Sequence, residues 1–257
     1  MRKSLCFIAI LLTYACSVKE NRSECPCELV VRSEEALKTE GSVLVSVIQE
    51  DAVVKQGMMS REDFEAGRCR LTVPRKPSTI TVFSGITDMN TLNGRWLDIM
   101  FEHQCDELYS CREFAPIKGE TYDCVVTTHK NFVRLYLTII GMPEGAQAAV
   151  RGSVQGYDIM DQSPFQGNFS CSAPGVENGV EYCIRLPRQT DDGLMLDIMQ
   201  PGKTTRQIAI GDMISASGYR YDDPDLLDIS ITVDLSKSSV AVTVADWTIE
   251  GYTQIEY

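Results

Sequence analysis

Three valines spaced two apart, Val43, Val45 and Val47, and two runs near the C-terminus, Ile229, Ile231, Val233 and Val240, Val242, Val244, set the period of this chain. Side chains of a strand point alternately to its two faces, so apolar residues at every second position mark a strand with one buried face. The pattern recurs over residues 29–32, 69–73, 79–84, 122–128 and 131–140, where Val133, Leu135, Leu137 and Ile139 share one face. Shorter candidates lie at 148–154, 181–186, 194–199 and 206–210. Residues 235–238 turn between the last two runs. Gly141-Met142-Pro143-Glu144-Gly145 forms a second turn, after which 148–154 is expected to return beside the preceding strand, and Asp191-Asp192-Gly193 reads as a hairpin turn. Helical signals are few. Residues 60–66 open on Ser60 and Glu62 and predict about two turns, and 90–97 and 107–114 fit either period.

About a dozen short strands with frequent turns predict an all-β chain rather than βαβ units. At 257 residues the chain is long for one sandwich. Two tandem β-sandwich domains are expected, one over 25–129 and one over 130–257, divided at the polar pair His129-Lys130. A single larger sandwich is the alternative. No internal sequence repeat is visible.

The N-terminus fixes the compartment. Arg2 and Lys3 precede an apolar stretch over 5–12, and Thr13-Tyr14-Ala15-Cys16 follows. This is the layout of a secretory signal over residues 1–15. A Cys directly after a small residue resembles a bacterial lipobox, with Thr13 where Leu is usual. Cys16 is then the lipid-attachment residue. Each buried methylene contributes about 0.8 kcal/mol and two or more chains hold stably. Residues 16–24 are polar and aperiodic, a spacer between lipid and fold.

Eight cysteines remain: Cys25, Cys27, Cys69, Cys105, Cys111, Cys124, Cys171 and Cys183. An even number in a chain bound for an oxidising space makes all eight disulfide candidates, with connectivity open. Cys105 with Cys111 and Cys171 with Cys183 would close local loops, and the adjacent Cys25 and Cys27 are expected to bond elsewhere. No C-x-x-C pairs stand at zinc spacing, so no metal is assigned.

The net charge of −12 comes without a basic run, which argues against nucleic acid as a partner. Only His103 and His129 are present, and neither G-x-S-x-G, H-E-x-x-H, a P-loop nor G-x-G-x-x-G occurs. No catalytic residue and no cofactor is expected. Asp222-Asp223-Pro224-Asp225 with Asp228 has calcium-type ligands but no EF-hand spacing, and reads as a solvated loop. Tyr219, Tyr221, Tyr252 and Tyr257 suit either a sugar-stacking surface or an ordinary strand face.

The segment Cys16-Ser-Val-Lys-Glu-Asn-Arg-Ser-Glu-Cys25-Pro26-Cys27-Glu-Leu-Val-Val31 resembles the mature start of the FimB/Mfa2 family of Bacteroidales fimbrial anchor lipoproteins. Lys130-Asn131-Phe132-Val133-Arg134-Leu135 is similar to the strand that opens that family's second domain, and Val244-Ala245-Asp246-Trp247 to its ending. The resemblance implies two transthyretin-like sandwiches, lipid-anchored at the outer membrane and exposed at the cell surface. It implies a fimbrial stalk subunit as partner, joined by β-strand addition, and a role in tethering the fimbrium base and limiting its assembly. Residues 248–257 would be a last strand or a donor. The competing expectation is a glycan-binding surface lipoprotein, which would need exposed aromatics, Trp above all. A secreted hydrolase would need a pocket joining a nucleophile to His103 or to a carboxylate pair.

Overall fold

The computed structural model describes residues 21–173, 178–244 and 247–252. The chain runs through β1 (Pro26–Ser33), β2 (Ser42–Gln49), β3 (Ala52–Ser60), helix α1 (Arg61–Glu65), β4 (Arg70–Pro74), β5 (Pro77–Ile86), β6 (Asn90–Asn93), β7 (Trp96–Ile99), β8 (Tyr109–Pro116), β9 (Thr121–Val126) and β10 (His129–Lys130). It continues as β11 (Phe132–Ile140), β12 (Gln147–Asp158), β13 (Pro164–Ala173), β14 (Glu181–Pro187), β15 (Met195–Met199), β16 (Arg206–Ala209), helix α2 (Ile210–Ala216), β17 (Ile229–Asp234), β18 (Ser239–Val244) and β19 (Trp247–Tyr252). The chain is all-β, as its period predicts. The expected helix starts where Ser60 caps it, its side chain accepting from the Asp63 N–H at 3.1 Å.

Four sheets form. A three-stranded sheet β4-β1-β9 faces a five-stranded sheet β10-β8-β5-β2-β3. A second five-stranded sheet, β14-β11-β17-β18-β19, faces a six-stranded one made of β16-β15-β12-β7-β6 and, beside β12, β13. The two halves share a pairing rule that their sequences hide. β1 lies between antiparallel β4 and parallel β9, and β11 lies between antiparallel β14 and parallel β17.

Each facing pair encloses a core. Cys27, Leu29 and Val31 of β1 point at Val43, Val45, Val47, Ile80 and Val82 in the first. Leu135, Leu137, Val150, Leu196, Ile231 and Val242 belong to the second. The sheet β10-β8-β5-β2-β3 is the central one, and its strands β2 and β5 are buried on both sides. Leu44, Phe83 and Ile86 alternate with the first set and join the second core, which is why β2 and β5 read as almost unbroken apolar runs. Burial of these side chains contributes about 1.5–3 kcal/mol each.

Two expected hairpins are crossings instead. β11 and β12 flank the 141–145 turn but lie in different sheets, and so do β14 and β15, on either side of Asp191-Asp192-Gly193. In both places the turn chemistry holds while the chain steps across the sandwich, because the next strand finds its partners elsewhere. The final hairpin is as expected, with Val233 opposite Val240 and Ile229 opposite Val244. β19 extends it beside β18, and residues 253–257 lie outside the described residues.

The ambiguous segment 90–97 is a hairpin, β6–β7, that pairs with β12 (Leu97 opposite Tyr157, Trp96 opposite Asp158). Residues 90–99 thus complete a sheet built otherwise from residues 147–209. Gly156 permits the approach. A Cβ there would stand 2.3 Å from the Leu97 carbonyl oxygen and 2.7 Å from the Phe165 ring.

Candidate functional site

Cys16 and the signal lie outside the described residues, but the chain that leaves them is well fastened. Cys25 N–H donates to Arg22 O (3.0 Å), and Arg75 N–H donates to Cys25 O (3.1 Å). Arg75 Nε donates to Pro26 O (3.0 Å), and Lys76 Nζ meets Glu24 (2.7 Å) and Glu50 (3.2 Å). The β4–β5 turn therefore clamps the spacer where it becomes β1.

At the far edge of the central sheet stands β3. Its facing sheet is only three strands wide, so β3 overhangs and its side chains are exposed on both faces. Val53, Val54 and Met58 are 36%, 41% and 49% exposed, with Lys55 as the one charge in the strand. Edge strands usually carry more charge than this, since their free N–H and C=O groups invite pairing.

His129-Lys130 and the acidic segment, expected as a linker and a solvated loop, meet each other. Asp225 accepts from Lys130 N–H (2.7 Å) and bonds His129 Nδ1 (2.9 Å). Asp228 accepts from Arg134 N–H (2.9 Å) and from Lys130 Nζ. Asp225, though still exposed, and Asp228 thus anchor this loop. Behind them lies Arg188, which no sequence pattern marks. Its guanidinium donates to Asn131 Oδ1 (2.5 Å), Asp223 O (2.8 Å), Pro224 O (3.0 Å), Lys130 O (3.4 Å) and Tyr221 O. Burial lowers its pKa. Tyr157 OH donates to Asn131 O (2.5 Å) and accepts from Arg188 N–H (2.8 Å). The Phe83 and Tyr157 rings meet at 5.9 Å, and Thr81 Oγ1 donates to Ile159 O (2.5 Å), so the halves pack directly together.

His103 Nδ1 stands 2.8 Å from Phe101 O, and His129 turns to Asp225. Among the described residues neither ring bonds a hydroxyl or thiol. Trp96, packed at 4.9 Å against Phe165 with the Arg95 guanidinium over its ring, is partly exposed. Tyr219 and Tyr221 stand edge to face at 4.9 Å, and Tyr257 lies outside the described residues.

The eight cysteines, none bonded to another in this structure, are distributed by core rather than by spacing. Cys27, Cys69, Cys111 and Cys124 line the first core, Cys105 and Cys171 the second. Cys25 is half-buried and Cys183 exposed. Cys69, just before β4, and Cys124 of β9 flank Val31 on its two sides. Burial pushes Cys69, Cys124 and Cys171 up to about 11 and Cys111 to about 12, and raises Cys27, Cys105 and Cys183 too. Thiols held protonated in this way are poor nucleophiles.

No protein-family model and no curated protein matches the chain. Solved structures do. A Bacteroides thetaiotaomicron protein provisionally named polysaccharide-binding aligns with a TM-score of 0.65 at 12% identity, over 88% of this chain and 98% of its own. The fimbrial anchor protein Mfa2 of Porphyromonas gingivalis aligns at 0.63 and 12% identity, over 89% of this chain and 100% of its own. A second Bacteroides thetaiotaomicron protein, provisionally named an adhesin, aligns at 0.59 and 9% identity over 87% and 96%. Through most of its length, then, the chain shares the fold of fimbrial and adhesin proteins of the Bacteroidales.

Proposed function

We propose that this chain is a lipid-anchored fimbrial subunit, held in the outer membrane through Cys16 and gripping a stalk subunit at the base of the fimbrium, where it limits assembly. The observation that carries the reading is the fold shared with the Porphyromonas gingivalis anchor along the whole of that chain. The lipobox at Cys16 and the clamped spacer at Cys25 support it. In this reading the chain acts by binding, without turnover. It accepts a partner strand at β3, where a row of main-chain hydrogen bonds supplies affinity and alternate side chains supply register.

Cys16→Ala should move the protein from the membrane to the soluble fraction, and deleting the chain in its host should free or lengthen fimbriae. Val54→Lys combined with Met58→Lys should block stalk recruitment without lowering the melting temperature. Unaltered fimbriae in the deletion strain would overturn the anchor role.

A further inference from the structure

Residues 217–228 form no strand or helix, yet Arg188, His129 and Lys130 hold them at several points. A part-buried guanidinium spent on an irregular surface loop keeps that loop in one shape, the preorganisation a binding surface needs. The loop presents Tyr219 and Tyr221 opposite the β14–β15 crossing. Between them lies an open cleft of about 410 Å³, lined also by Thr190, Asp191, Asp192 and Ser215, with Arg220 at its side. That volume suits a small ligand.

The lining selects the ligand class. Arg220 pairs with Asp222 (2.9 Å) and Asp223 (3.6 Å), so those two carboxylates are occupied. The rest is a mixture of acceptors and donors. Asp192 is exposed and makes no ion pair among the described residues. Asp191 commits Oδ1 to Ser153 Oγ (2.8 Å) and Gly193 N–H (2.9 Å), leaving Oδ2. Thr190 Oγ1 accepts from Gln166 (2.7 Å) and keeps its proton to donate. The Tyr221 hydroxyl is buried without a partner, in the field of Asp191 and Asp192. Groups that both donate and accept, beside aromatic rings that offer an apolar surface, match sugar hydroxyls and the C–H face of a pyranose.

We infer that this cleft binds a neutral hexose-based glycan, with Tyr219 against the ring, Asp191 and Asp192 accepting hydroxyl protons and Arg220 donating. The inference goes beyond the anchor reading and does not depend on it.

The test probes the purified full chain on an array of neutral hexose and N-acetylhexosamine oligosaccharides, then titrates the strongest probe calorimetrically with and without EDTA. Binding should persist in EDTA, and Tyr219→Ala and Asp192→Asn should each weaken it about tenfold or more. Trp96→Ala, at the other exposed aromatic pair, should leave it unchanged. Asp192→Asn keeps the side-chain shape at an exposed position, so it decides the matter even where Tyr219→Ala folds poorly. Three results would overturn the inference: no binding at millimolar glycan, full affinity in Asp192→Asn, or loss in EDTA, which would make the site a calcium site. Membrane release and fimbrial length do not involve the cleft, so failure here is distinct from failure of the anchor reading.

Discussion

Replacing Arg188 with Ala tests how the loop at 217–228 is held. Five acceptors lose their donor, but not all are stranded. Lys130 O still accepts from Leu226 N–H at 3.2 Å, and Pro224 O lies where water can replace the guanidinium. Tyr221 O, Asp223 O and Asn131 Oδ1 remain, all in part-buried contacts. A stranded acceptor costs about 1–3 kcal/mol, and some of this is offset because the variant no longer desolvates a cation. The expected loss is about 3 kcal/mol, or a fall in Tm of about 6–12 °C at this chain length. Thermal unfolding followed by near-UV circular dichroism measures the first number, and hydrogen exchange over 219–228 locates it. A Tm equal to the parent's, with unchanged exchange in that loop, would refute the claim that one guanidinium holds it.

Leu97→Ala empties a fully buried position in the β6–β7 hairpin and should cost about 2–5 kcal/mol. Urea unfolding reads the loss, and limited proteolysis should open residues 90–99 first. Cys105 and Cys111 occupy different cores, and Cys171 is buried while Cys183 faces out. Nonreducing peptide mapping should therefore find neither 105–111 nor 171–183 linked, and recovery of either linked peptide would show that the assigned faces are wrong. Burial alone would raise the Asp225 carboxyl, but hydrogen bonds from His129 and Lys130 N–H outweigh it and hold the group below the usual range. A depressed carboxylate adds stability that is complete above its unfolded value of about 3.9 and disappears as pH falls through the folded one. Asp225→Asn should accordingly flatten the acid limb of the stability curve, and identical limbs would count against the contact.

Most strands were legible because they keep at least one face dry; β3, exposed on both faces, was not, and neither was β13. The last hairpin could be read residue by residue, since Ile229–Asp234 and Ser239–Val244 alternate and pair with each other. Pairing between distant segments left no such trace. The β6–β7 hairpin stayed ambiguous because its partner, β12, lies more than fifty residues on. Turn residues at 141–145 announced a reversal without saying which sheet would receive the next strand. Cysteine spacing says little about the two cores for a related reason. Cys105 precedes β8, so strand parity does not connect it to Cys111. Arg188 was invisible, because four of the five acceptors of its part-buried guanidinium are backbone carbonyl oxygens, which leave no side-chain pattern, and the fifth, Asn131, lies fifty-seven residues away.

The position of β1 has a mechanical consequence. Tension arriving through residues 21–25 pulls along the axis of a strand bonded on both flanks, to β4 on one side and β9 on the other. Such a load acts parallel to the strand, so both ladders share it at once, whereas a strand peeled from an edge gives up its bonds one after another. A tether rooted at this point would resist sudden drag better than one attached at β3.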